Sequence, residues 1–291
     1  MFSAKDVKDL REKTGAGMLD CKKALEASEG DMDKAVDWLR EKGIAKAAKK
    51  ESRIAAEGLT VGASNDNVAI VFEVNCETDF VTQNEKFKNL LTELRDALVF
   101  SDCNNYEEAL EVKLNDGKTI AERIVEATAT IGEKISFRRF EKVVKSDNEE
   151  FGIYSHMGGK ITALVVIEGG DRDTARDVAM HVAAMRPLYL NREEVPEEVL
   201  NHEKDIIKEQ AINEGKPADI AEKMVVGRVN KYYKEVCLLE QEFIKDSDKT
   251  VEQFAKANGG TIKKMIRYEV GEGIEKRTDD FAEEVMKQIN G

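Results

Sequence analysis

Apolar residues fall along this chain in blocks of differing period, and the period of each block predicts its element. Over residues 3–42 they recur at helical spacing in three short runs: Val7 and Leu10; Met18, Cys21, Ala24 and Leu25; Met32, Ala35, Val36 and Leu39. Each run is the buried stripe of a small helix. Ser3, with Asp6 three positions on, has the spacing of a capping box. Thr14-Gly15-Ala16-Gly17 and Ser28-Glu29-Gly30-Asp31 interrupt the runs, because glycine releases the chain into turns. So few large side chains make a minimal core, and the unit reads as a docking module. Lys42 to Arg53, rich in Ala and Lys, reads by composition as a basic helical linker, and its charges more simply as a solvated helix face.

The texture changes at Thr60. Val68 to Val74 is a nearly continuous apolar run, the pattern of a strand covered on both faces. Thr60-Val61-Gly62 precedes it, and Asn65-Asp66-Asn67 lies between, which predicts a hairpin. Phe87, Leu90, Leu91, Leu94 and Leu98 then mark a helix. The same order recurs. Phe151–Tyr154 and Ile161–Ile167 are strands around the turn His156-Met157-Gly158-Gly159-Lys160, and Asp173 precedes a helix bearing Ala175, Val178, Ala179, Val182 and Ala183. Two copies of strand, turn, strand and helix predict two related α+β subdomains packed as a pair.

Between Pro187 and Cys237 the seam is thin. Val199, Ile206 and Ile207, then Ile220, Met224, Val225 and Val229 after the turn Gly215-Lys216-Pro217, predict an antiparallel helical hairpin projecting as a coiled-coil arm. Val251–Ala257 reads as a helix, Ile262–Val270 as a last strand, and Thr278–Ile289 as an amphipathic tail with Phe281, Val285 and Ile289 on one face.

Length and charge narrow the function. The 291 residues allow two or three domains. A net charge of −13 argues against general affinity for nucleic acid, whose phosphates attract basic surfaces. No apolar run reaches the length of a membrane span, and the start lacks the layout of a secretory signal; the expected location is the cytoplasm. Cys21, Cys76, Cys103 and Cys237 form no CxxC and stand apart from His156, His181 and His202, so no metal site is expected and the cysteines read as reduced and packed.

The catalytic templates fail in turn. Gly158-Gly159-Lys160 resembles the end of a phosphate loop, but Tyr154 and Ile161 occupy positions that need Gly and Ser or Thr. Thr14–Gly17 contains GxG between helices, and Asp20 stands where a third glycine belongs. No GxSxG occurs, and no histidine is paired with a nucleophile. His181 reads as a packed neutral histidine, His202 as solvent-facing, and His156 as presented at a surface. The chain is therefore not expected to be an enzyme or to carry a cofactor.

Cys76-Glu77-Thr78-Asp79-Phe80-Val81 sets an acid beside a large aromatic between a buried strand and a helix. Two readings stand. Thr78 or Asp79 caps the coming helix and Phe80 fills its own core, or Phe80 is an aromatic anchor offered to another protein.

At this segment the chain resembles the elongation factor Ts family. The stretches that carry the resemblance are Arg11–Leu25, Val74–Val81 (Val-Asn-Cys-Glu-Thr-Asp-Phe-Val), Ala179–Ala184 and Arg267–Lys276. Four long motifs in order span essentially the whole chain. The resemblance implies a ubiquitin-associated-like three-helix bundle with its linker at 1–54, a core N-subdomain at 55–144, and a C-subdomain at 145–262. It places the coiled-coil insertion at about 190–236 and a C-terminal helical module at 263–291. It implies guanine-nucleotide exchange on elongation factor Tu, the partner in both GDP-bound and nucleotide-free forms, in a heterodimer or a heterotetramer. Thr78, Asp79, Phe80 and Val81 match residues that press on the GTPase domain and disturb its magnesium site. His156, Met18 and Leu19 match secondary contacts. No direct binding of nucleotide, nucleic acid or membrane is implied. Glu77 departs from the pattern, where Gln is more usual, and residues 101–118 match no part of it. A scaffold that binds the partner without exchanging its nucleotide is the alternative reading.

Overall fold

The computed structural model describes residues 2–215 and 217–275, and it is an α+β fold of helices and small sheets. The chain divides into two compact units. Of the described residues, one gathers 2–61, Phe72–Lys142 and 269–275; the other gathers Gly62–Val71 and Val143–Tyr268.

The first unit opens with helices α1 (Ala4–Thr14), α2 (Met18–Ala27) and α3 (Met32–Ala48). The Ser3 hydroxyl accepts the Asp6 N–H at 3.3 Å, and the Asp6 carboxylate accepts the Ser3 N–H at 2.7 Å, so the capping box is formed. Leu10, Cys21, Ala24, Leu25 and Ala35 are fully buried against one another, as their spacing predicted. Strands β1 (Glu57–Asn65) and β2 (Val68–Cys76) come next, then α4 (Asp79–Thr82), α5 (Glu85–Val99), α6 (Tyr106–Glu111), α7 (Ile120–Ile131) and β3 (Ser136–Val144). The sheet order is β1-β2-β3. Within 101–118 lies α6, tied down by the Tyr106 hydroxyl, which donates to the Phe137 carbonyl at 2.8 Å. The Ala/Lys stretch continues α3 up to Ala48, and Gly43 lets the helix lie on α7: a Cβ there would stand 3.2 Å from that of Ala129.

A buried carboxylate organises the middle of this unit. Glu73 on β2 is fully buried and accepts from the Gly271 N–H at 2.8 Å, Asn75 Nδ2 at 2.9 Å, Arg138 Nη1 at 3.1 Å and Arg139 Nε at 2.6 Å. Burial alone drives its carboxyl up. The Gly271 amide, Asn75 and Arg139 outweigh that and hold it below the usual carboxylate range. Gly271 is obligatory for this contact. It sits at φ 71°, and a Cβ would lie 2.2 Å from the Ala56 carbonyl.

In the second unit β4 (Glu149–His156) and β5 (Ile161–Gly169) form an antiparallel hairpin whose register runs from Glu149↔Glu168 to His156↔Ile161. Helix α8 (Arg172–Met185) is capped by Asp171, not Asp173; the Asp171 carboxylate accepts the Thr174 N–H at 2.7 Å. Gly152 admits α8 to backbone contact with β4, since a Cβ there would lie 2.0 Å from the Ala175 carbonyl. Helices α9 (Glu197–Asn213) and α10 (Ala218–Val236) come next, then β6 (Glu242–Phe243), β7 (Asp246–Thr250), α11 (Val251–Ala257) and β8 (Gly260–Glu269). The three-stranded sheet here has the order β4-β5-β8. Each three-stranded sheet thus centres on the second strand of a hairpin and receives a later strand on the other side. Along α9 and α10 the seam is thin: Ile207 and Ala211 are buried, while Ile206, Met224, Val225 and Val229 are half-buried. Strand β8 runs through position 263. The tail Thr278–Ile289 lies outside the described residues.

Candidate functional site

The run Ala69–Cys76 is buried throughout, so the chain leaves the sheet at Glu77 with no freedom to slide. The next element is one turn of helix, α4, with Thr78 as its N-cap residue in an extended conformation. The Thr78 hydroxyl makes no capping bond. It donates instead to Glu133 Oε1 at 2.7 Å, while the Thr78 N–H donates to Glu133 Oε2 at 2.9 Å. The Glu77 carboxylate accepts the Lys134 N–H at 2.6 Å and faces Arg53 Nη1 at 3.2 Å. On the inner side Val81 and Thr82 are buried, and the Thr82 hydroxyl donates to the Asp79 carbonyl at 2.6 Å. Asp79 is exposed, and Phe80 is 84% exposed. Thr78 does take the N-cap position, though its hydroxyl makes no capping bond, and the expectation that Phe80 fills its own core is overturned. Val81 and Thr82 take the inward positions of the turn, and Phe80 is left outside.

Met18 and Leu19 begin α2 and are 51% and 66% exposed. The loop before them is tied to the start of α5, because Lys86 Nζ donates to the Gly15 carbonyl at 3.0 Å. The first unit thus fixes that loop against the helix that comes after Phe80. His156 belongs to the second unit, at the exposed end of β4 with its ring stacked on Tyr154 at 6.1 Å. Met157 beside it is exposed and sits at φ 50°, an uncommon conformation for a side-chain-bearing residue. Gly158 and Gly159 complete a 3-10 turn between strands, which is a hairpin and not a phosphate cradle.

The other candidate groups are structural. His181 is fully buried; its Nδ1 accepts the Ile244 N–H at 3.2 Å, and its Nε2 lies 2.9 Å from Gln241 Oε1. That pairing fixes the neutral tautomer with the proton on Nε2, and burial, only partly offset by Gln241, lowers its pKa. His202 is exposed on α9. All four cysteines are free and buried, and burial pushes the Cys237 thiol up to about 11, which makes it a poor nucleophile. Among the described residues no group of three or more His, Cys, Asp or Glu is arranged to hold a metal, and no helix is long and apolar enough to cross a membrane. Sequence reasoning missed Glu133 and Lys134. They stand 55 and 57 positions from their partners and carry no local pattern.

The exposed aromatic thus stands on a tethered turn, in a chain whose length a curated relative shares. A family model described as Elongation factor TS matches residues 77–272. Elongation factor Ts of Pediococcus pentosaceus is 56% identical over 288 residues, covering 99% of this chain and 98% of that protein. The chain belongs to the elongation factor Ts family. It is thereby a translation elongation factor, as the four motifs implied. The Glu77 carboxylate points at Arg53 and the Lys134 amide, so its charge is matched within the first unit.

Proposed function

We propose that this chain binds elongation factor Tu in its GDP-bound and nucleotide-free forms and promotes GDP release during translation elongation. It does so by disturbing the magnesium and phosphate site of that GTPase, with no chemistry of its own. The observation that carries the reading is Phe80, held out in water on a turn whose neighbours are buried or tethered. Burying such a side chain yields about 1.5–3 kcal/mol. Because the turn is already ordered, little of that is lost to ordering on association. Asp79 adds a negative charge beside the ring, suited to compete with phosphate for a cation. Met18 and Leu19 supply a second apolar contact and His156 a third. The ubiquitin-associated-like bundle, the two related subdomains, the helical arm and the C-terminal module serve as docking parts, in a heterodimer or heterotetramer.

The thermodynamics of exchange are reciprocal. Each 1.4 kcal/mol of coupling weakens GDP about tenfold and weakens this protein's grip on the GDP complex by the same factor. The test is release of a fluorescent GDP from elongation factor Tu under catalytic amounts of this chain. Phe80→Ala is expected to slow it at least about tenfold, the scale of an anchor residue. Complex formation with release unchanged by the wild-type protein would leave a scaffold instead.

A further inference from the structure

Residues 133 and 134 hold residues 77 and 78 at two points, and neither contact is part of a helix or a sheet. Gly132 ends α7 in the left-handed conformation at φ 92° and turns the chain so that Glu133 faces Thr78. The carboxylate then accepts both donors of Thr78, one on each oxygen, at 2.9 and 2.7 Å. One residue on, the Lys134 N–H is taken by Glu77. Lys134 Nζ in turn donates to the Arg53 carbonyl at 3.0 Å, and Arg53 pairs with Glu77. A bidentate contact fixes orientation as well as position. Asp79 and Phe80 come directly after Thr78, so the first point in the chain at which the exposed turn is anchored from outside is Glu133.

We infer that Glu133 is a positioning residue for the Asp79–Phe80 turn, acting through Thr78. The inference rests on the proposed role of Phe80. Without the carboxylate, the N–H and hydroxyl of exposed Thr78 turn to water, and α4 keeps only its inward anchors, Val81 and Thr82. The ring then samples directions in which it does not meet the partner, and each encounter carries an ordering cost that the wild-type protein has already met. Since Thr78 is exposed, the loss falls on exchange and little on stability.

The experiment measures GDP release from elongation factor Tu loaded with fluorescent GDP, using full-length Glu133→Ala, Glu133→Gln, Phe80→Ala and Glu133→Ala/Phe80→Ala. Glu133→Ala is expected to slow release about tenfold, as loss of charge-assisted hydrogen bonds allows, with the thermal midpoint retained. Glu133→Gln is expected to recover most of the rate, because its amide oxygen accepts the Thr78 N–H and its amide nitrogen donates to the hydroxyl. In the Phe80→Ala background Glu133→Ala should slow release no further. Equal slowing in both backgrounds, or Glu133→Ala at the wild-type rate while Phe80→Ala is slow, overturns the positioning role and leaves the wedge intact. Phe80→Ala at the wild-type rate overturns the wedge itself.

Discussion

Phe72 and Phe80 stand eight positions apart, yet the first has no exposed surface and the second is almost wholly in water. That contrast assigns them opposite consequences on truncation. Phe72→Ala removes a side chain from a packed core and is expected to cost about 3–5 kcal/mol. Phe80→Ala should stay within about 0.5 kcal/mol of wild type. Urea unfolding of the two variants checks this, and a large loss from Phe80→Ala would mean that the ring is buried in solution. At this scale the sequence was legible where burial is periodic: Leu10, Cys21 and Leu25 all fell inside as their spacing required. At Phe80 it was legible only as two alternatives, a ring in its own core or a ring offered outward, because an acid and an aromatic beside a helix start fit either. Glu133 was invisible for a different reason. Its partner is set by the turn after α7, a tertiary event with no local signature.

Hairpins and amphipathic helices were readable as elements because apolar runs and turn residues coincide, as at Val68–Val74 and Phe87–Leu98. Strand β3 escaped notice for a physical reason. Its buried residues are Phe137, Phe140 and Val143, three apart as on a helix, since Arg138 and Arg139 are turned to Glu73. Two glycines test how elements approach one another. At Gly152 a Cβ would meet the backbone of α8, so Gly152→Ala is expected to destabilise by about 1–3 kcal/mol. Gly227 is exposed within α10, its φ is unexceptional and nothing lies within 4 Å of a Cβ there. Gly227→Ala should therefore stabilise by about 0.5–1 kcal/mol through helix propensity. Urea midpoints moving in the same direction for both would contradict this picture of the packing.

Across the whole molecule two buried titratable groups tie stability to pH in the same sense. Burial holds the folded His181 below its ordinary value of 6.5, so the unfolded chain binds the extra proton and stability falls as pH drops below that value. Glu73 is held below its ordinary value of 4.5, so its contribution is complete above that pH and is lost as pH falls through the folded value. Unfolding free energies from pH 7 downward should decline in two steps, and His181→Gln should flatten the upper one; an unchanged upper step would contradict the buried neutral histidine. On the proposed reading, this chain holds its partner by shape and by a few contacts, with exposed Phe80 at their centre. Stopped-flow release of fluorescent GDP from elongation factor Tu, with wild-type chain and with Phe80→Ala, puts that design to the test. Acceleration by orders of magnitude is expected from the wild type, with at least about a tenfold loss in the variant. Equal rates from the two proteins would contradict a grip centred on Phe80.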